Sequence, residues 1–556
     1  MTDIRRTVLW VVFTMSLVFL WDGWQRHQGR PSMFSPTPAA TTQPAAAGAP
    51  ASAALPAAMQ TGATPAAAAA PGAPASAPPQ GELVAIETDL IKAQFSTLGG
   101  SLVDVALLKH GDDTPERAPM RVLDRQRAYA AQSGLVGVPN APRHDNAVMT
   151  LVSPERKLAD GAQQLNLRFE SPELGGLKLV KTYTFERGSY VVKVRHEVVN
   201  AGTAPVTPQL YLQLQRDGSS MSQGSQYLGT HTFTGPALYH DKIKYTKVEF
   251  KDLVFNKKEF EGERKAQDGW VAMVQHYFVS AWIRNDKADR EFYVRQNNDG
   301  LYVAGMVLPM QPIAAGATAH ADDLLFVGPQ EEKKLADLAP GLYLVKDYGF
   351  FRILATPLFW LLDQIHNLIG NWGWSIVLLV VLLKIAFYGL NASAYRSMAK
   401  MKKVNPKIME MRERLKDKPQ QMQQEMMRIY KEEKVNPLGS CLPILLQVPF
   451  FIALYWVLLS SVEMRHAPWL LWITDLSAKD PFYVLPVLLT LSSLLQVWLQ
   501  PAPPDPMQAK MMWIMPLIFS GLFFFFPAGL VLYWLVNNLL SIAQQWMINK
   551  QLGVQH

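Results

Sequence analysis

A single cysteine among 556 residues, Cys441, has no partner for an internal disulfide, so any large folded part of this chain must be held by its own apolar core. Metal-ligand spacings are equally scarce. Neither HExxH nor HxH occurs, His231, His240 and His276 are scattered, and no metal or cofactor is expected. The pair Gly99 and Gly100 reads as a turn rather than a phosphate loop. The long apolar runs near the C-terminal end contain no Asp or Glu, which argues against a coupled proton or ion relay built on carboxylates.

Those runs are Trp374 to Tyr388, Leu442 to Leu459, Phe482 to Leu499, Met511 to Phe526 and Ala528 to Trp546. Each approaches the length that crosses a hydrocarbon layer of about 30 Å. A sixth, Val8 to Trp21, follows Arg5 and Arg6. No small-residue cleavage site follows Trp21, so the stretch reads as a retained signal anchor, with cleavage inside the later Ala-rich tract as the alternative. Residues 391 to 440 hold 12 Lys or Arg against 6 Asp or Glu, an excess of 6 within a total net charge of +7. Basic loops stay on the cytoplasmic side, and Arg5 and Arg6 place the N-terminus there too. Six spans then close without contradiction, with both termini cytoplasmic and residues 25 to 350 outside.

The expected organisation is a multi-domain membrane protein. An anchor at 1–24 leads to a spacer at 25–81, where 30 of the 45 residues from Pro36 to Gln80 are Ala or Pro. Residues 82–345 show short alternating runs with polar turns, as at Arg187, Gly188, Ser189 and at Asn298, Asp299, Gly300, the pattern of one large antiparallel sandwich. Residues 346–370 place Phe350, Phe351, Leu354, Leu358, Phe359, Leu361, Leu362 and Ile365 at helical spacing, an amphipathic segment that Pro357 divides or restarts. A core at 371–550 carries spans near 371–390, 441–461, 482–500, 511–526 and 528–547. Its basic segment 391–440 reads as a helical hairpin turning at Pro419.

Polar residues inside the runs are few: Lys384, Gln447, Thr490, Ser492, Ser493, Gln496, Ser520, Asn537, Asn538, Ser541, Gln544 and Gln545. Lipid cannot satisfy their hydrogen bonds, so they face a bundle interior or a water-filled cavity. Helix-to-helix glue accounts for most of the hydroxyl and amide side chains. Lys384 is different, because a lysine at that depth either snorkels to the headgroups or faces a hydrated recess. In the hairpin, Ile408, Met411 and Leu415 share one face and Met422, Met426 and Ile429 another. These methionines either hold the hairpin together or, with basic neighbours such as Arg412 and Arg414, meet apolar clients, anionic lipid or ribosomal RNA.

The stretches NWGWSIVLLVVLLK (371–384), VNPLGSCLPILLQVPFFIALYW (435–456), LWITDLSAKDP (471–481), DPMQAKMMWIMPLIF (505–519), FPAGLVLYWLVNN (526–538) and QHYFVSAWI (275–283) closely resemble the YidC-type membrane protein insertases. The resemblance covers nearly the whole chain. It implies a six-span α-helical membrane domain with a periplasmic all-β supersandwich, and a non-enzymatic insertase and folding chaperone. Its partners would be nascent inner-membrane proteins, the Sec translocon, the lipid bilayer and the ribosome, with no DNA. It further implies a hydrophilic groove open to cytoplasm and lipid, with the groove cation at Lys384 and client contacts at or near Gln447, Phe451, Tyr533 and Trp534. Relatives usually carry arginine at the Lys384 position. The tail after Trp546 holds one basic residue, Lys550, where many relatives carry a basic extension that helps ribosome contact. Two rivals are weighed against this reading: a secondary transporter with a midplane cationic site, and a glycan-active outer domain.

Overall fold

The computed structural model describes residues 81–551 except 115, 220–231, 256–259, 261–262, 416–417, 434–441 and 501–505. The expected anchor, nearly all of the Ala/Pro spacer, His231 and Cys441 lie outside the described residues.

Alternation of apolar and polar residues builds the first region. In Gln164–Glu170 the side chains of Leu165, Leu167 and Phe169 point inward, and in Val191–Asn200 those of Val192, Val194, His196 and Val198 do. The strand Leu177–Glu186 joins them through a hairpin that pairs Phe185 with Val192, and Gly188 at its turn takes φ +74°, a conformation costly for residues with a Cβ. The second expected hairpin also forms, with Gln296 opposite Tyr302 and Gly300 at φ +77°.

Two nine-stranded antiparallel sheets result. In the first the order is Leu83–Glu87, Ile91–Ser96, Ser101–Gly111, Ala130–Val136, Gln209–Arg216, Tyr302–Pro309, Arg290–Gln296 and Lys265–Ala266, with Pro119–Leu123 beside the third strand. In the second it is Lys244–Lys247, Gly235–His240, Trp270–Val274, Phe278–Ile283, Thr318–Pro329, Val191–Asn200, Leu177–Glu186, Gln164–Glu170 and Thr150–Leu151. Every residue of Trp270–Val274 and Phe278–Ile283 is buried, because both faces of these strands are covered.

Buried polar groups tie the layers together. The Trp282 indole donates to Gln213 O at 3.1 Å, the Tyr183 hydroxyl to Gly100 O at 2.7 Å, and Tyr129 Oη lies 2.5 Å from Ser280 Oγ. Lys181, wholly buried, donates to Gly99 O at 2.6 Å and to Ser133 O at 2.8 Å. Burial pushes its ammonium down to about 7, since the interior penalises the charged form. His196 sits beside it, 3.1 Å from Asp323 and 2.9 Å from Ser133 Oγ, and burial lowers its pKa as well.

The second region is helical: α1 (Arg352–Ile369), α2 (Trp372–Ala386), α3 (Tyr388–Arg414), α4 (Pro419–Glu432), α5 (Leu442–Ser460), α6 (Val484–Leu499), α7 (Pro506–Phe523) and α8 (Ala528–Gln551). Pro357 does not divide α1, which runs through it and buries Ala355, Leu358, Phe359, Leu362 and Ile365. Its other side leaves Ile353, Trp360 and Leu368 exposed.

The expected spans differ in detail. The 371–390 run breaks after Ala386, and α3 starts directly at Tyr388 with a bend of 67°, so no loop separates the apolar run from the hairpin. Among the described residues no single helix is long and apolar enough to cross a membrane alone. The bent pair Trp372–Ala386 and Tyr388–Met401 is so only together. At 1.5 Å per residue α2 is only about 22 Å long. In α8, Asn537, Asn538, Ser541, Gln544 and Gln545 dilute a helix of 24 residues.

The two regions meet through polar contacts. Ser460 donates to Asp347 O at 2.6 Å, and His276 Nε2 lies 2.9 Å from Leu459 O, which makes this histidine an interface residue. Lys346, its side chain buried, is 3.2 Å from Glu463 and 3.6 Å from the Phe359 ring centroid. Arg465 pairs with Asp113 at 2.5 Å and also donates to Gly111 O.

Candidate functional site: a cationic recess between helices

Asn371 caps α2, its side chain accepting from Trp374 N at 3.1 Å, which starts the helix so that Lys384 falls in its last turn. A cation there meets the negative end of the helix dipole. Lys384 Nζ donates to Ser541 Oγ on α8 at 2.7 Å, and Ser541 in turn donates to Asn537 O at 2.7 Å. Its partner among the described side chains is thus a neutral hydroxyl. The half-buried lysine borders a small recess lined by Val380, Leu383, Phe387, Phe450, Tyr533 and Asn537.

Aromatic packing on α5 and α8 forms one wall. Phe451 stacks on Trp534 at 5.0 Å with planes 9° apart, and meets Tyr533 at 5.7 Å and 65°. Tyr533 is buried, whereas Phe451 and Trp534 are half-buried. Lys384, Phe451, Tyr533 and Trp534, widely separated in sequence, are therefore brought together. Gln447 lies on α5, and its side chain is outside the described residues.

The other polar side chains sort into two groups. Thr490, Ser492 and Ser493 donate to carbonyls of their own helix, Asn538 donates to Ser493 Oγ at 2.9 Å, and Gln545 Nε2 to Leu499 O at 3.2 Å. These act within or between helices. Gln544 is buried, and neither polar atom of its side chain has a partner among the described residues.

In the hairpin Met411 is buried beside Val404 and Ile408, and Met422, Met426 and Ile429 pack on them from α4. These methionines form the hairpin's own core. Arg412 is half-buried and Arg414 exposed. The outward apolar residues are Met409 and Met427, which the facial pattern did not single out, although Met427 directly follows the inward Met426. A turn of about 100° between neighbours puts them on different faces.

Chemically the site is a neutral-walled recess with one cation and aromatic flanks. Among the described residues no cluster of three His, Cys, Asp or Glu is placed to hold a metal ion. An all-β periplasmic region on a helical inner-membrane region is the architecture of the inner-membrane insertases, which are not enzymes. Residues 83–361 match the family profile described as the YidC periplasmic domain, and residues 364–555 that of the 60Kd inner membrane protein. The membrane protein insertase YidC of Cupriavidus necator is 53% identical over 99% of this chain and 98% of its own. That of Burkholderia cenocepacia is 50% identical over 99% of each. A solved active YidC insertase is similar at 18% identity and a TM-score of 0.37, over 84% of this chain and 94% of its own, a likeness on which nothing further rests. The chain belongs to the YidC family of membrane protein insertases. The relatives lend no support to the transporter reading.

Proposed function

We propose that the recess beside Lys384 is the client-receiving end of a hydrophilic groove, and that the chain inserts nascent inner-membrane proteins through it without making or breaking a bond. The observation that carries this reading is a half-buried lysine whose partner among the described side chains is a hydroxyl rather than a carboxylate. Such a cation keeps attraction to offer an arriving acidic residue. Phe451 and Trp534 supply an apolar flank along which the client's hydrophobic segment leaves for lipid, and burial of that segment drives the step. Shortening the hydrocarbon path for the client's polar tail lowers the cost of its crossing.

In this reading α2 with the start of α3, then α5, α6, α7 and α8, together with the N-terminal anchor, make six spans. Both termini are cytoplasmic, and the sandwich lies in the periplasm. Tilted or broken helices line the groove, where bends are tolerated because protein and water, not lipid, face the backbone. The hairpin, through Arg412, Arg414, Met409 and Met427, faces the ribosome or the emerging client, and the chain works alone or with the Sec translocon. Met411, Met422 and Met426 hold the hairpin's shape.

The test is insertion of a small membrane protein with an acidic translocated tail into proteoliposomes holding the full chain. Lys384→Met should lower insertion by about tenfold or more, the range of one lost charge-assisted hydrogen bond, and Lys384→Arg should retain it. Unchanged insertion by the methionine variant would falsify the assigned role of the charge.

A further inference from the structure

The seam between α3 and α8 holds a second feature, one step beyond Lys384. The two helices pack together, and Tyr395 of α3 lies by Ser541 of α8, the hydroxyl that accepts from Lys384. One turn before Tyr395 stands Asn391, and three and four residues after Ser541 stand Gln544 and Gln545. All three amides are buried, at 7%, 8% and 3% exposure. Four of their polar atoms, Asn391 Nδ2, Gln544 Nε2 and Oε1, and Gln545 Oε1, have no partner among the described residues. Folded proteins rarely leave buried amides unpaired, and each one calls for an explanation. Elsewhere on α8 the same residue type is used up, since Asn538 bonds Ser493, and Gln545 itself spends its Nε2 on Leu499 O of α6.

We propose that Gln544, supported by Asn391 and Gln545, is a docking station for client backbone. A primary amide carries a donor and an acceptor side by side, as the peptide group does, so an unpaired one can exchange two hydrogen bonds with an extended segment. Being neutral, it recognises main chain regardless of sequence, whereas Lys384 selects negative charge. The partner is thus a polar, extended segment of the client, stripped of water as it enters the bundle. The amides replace the hydrogen bonds that hydrocarbon would deny it.

This proposal rests on the groove reading above, and two clients separate them. Both carry the same apolar segment, and their translocated tails are either neutral, of Ser and Asn, or acidic. In proteoliposomes of the full chain, Gln544→Leu is expected to slow both clients at least about fivefold, the factor that each lost hydrogen bond represents. Lys384→Met should slow the acidic client alone. The thermal midpoint of Gln544→Leu should equal or exceed the parent's, because leucine removes an unpaired buried amide, and that separates loss of function from loss of fold.

Parental insertion of both clients by Gln544→Leu overturns the docking station and, if Lys384→Met still fails with the acidic client, leaves the groove intact. Slowing of the acidic client alone, or a lowered thermal midpoint, also overturns it, since the amide would then serve charge or internal pairing. If neither variant affects either client, both readings fall.

Discussion

Lys181 in the sandwich and Lys384 in the helical region are both lysines withdrawn from bulk water, yet their surroundings are opposite. Lys181 reaches two carbonyls from two separate loops and strands, is fully enclosed, and is held near neutrality by burial at a pKa of about 7. As a neutral amine it has two N–H groups for two acceptors, so nothing is left over. Lys384 is half-buried, bonds one hydroxyl, and borders a small recess. A lysine whose hydrogen bonds are all spent inside the chain is a structural pin, whereas one with unspent donors beside a cavity is, in the proposed function, a receptor. The same contrast separates Asn538, which bonds Ser493, from Gln544, which bonds nothing described.

The largest effect expected from this contrast is on folding stability. Lys181→Met should cost about 2–5 kcal/mol by stranding two buried carbonyls, while Lys384→Met should cost under about 1 kcal/mol. Denaturant unfolding of the full chain, followed by circular dichroism, whose strand and helix signals report the two regions, would measure both. Equal losses would break the comparison. Next, Glu463→Gln removes the partner of buried Lys346 and should loosen the contact between the regions by about 2–3 kcal/mol, read as faster proteolysis near residues 341–352. No change in protease sensitivity would show that the ring of Phe359 alone holds the ammonium.

A smaller signature is pH dependence. The folded-state pKa of Lys181, about 7, lies below the unfolded value, so the unfolded chain binds the extra proton over the window between them. Stability should therefore rise as pH climbs from about 7 towards 10, by up to about 1.4 kcal/mol per unit, and level off below about 7, where both states bind the proton. Lys181→Met should flatten that slope, and a slope unchanged in the variant would assign it to other groups. The smallest effect belongs to Asp113→Asn. Its carboxylate is 72% exposed in the pair with Arg465, and its loss should cost about 0.5 kcal/mol in the same unfolding assay. A cost as large as that of Glu463→Gln would mean the two interface pairs do not differ by burial.

Much of the sandwich was legible because period-two alternation and turn glycines are local signals. The hairpins at Gly188 and Gly300 form as the pattern requires. Sheet order was not legible, since the neighbours Gln209–Arg216 and Tyr302–Pro309 are far apart in the chain and no short-range rule pairs them. In the helical region Lys384 stood out by charge alone. Its partner Ser541 lies 157 residues away, and only tertiary packing selects it from the other hydroxyls. The facial pattern of the hairpin was read correctly but left two meanings, and packing places Met411, Met422 and Met426 inward. The break at Phe387 was hidden because the apolar run continues across it without proline, and the nearest glycine, Gly389, falls inside α3 rather than at the bend.

That break makes α3 a lever arm. With 27 residues it extends about 40 Å from the fulcrum at Phe387, the residue that also lines the recess. A rotation of about 5° there swings the far end by roughly 3.5 Å. Any pivot there would carry a displacement of the hairpin tip, reduced several-fold, to the wall beside Lys384.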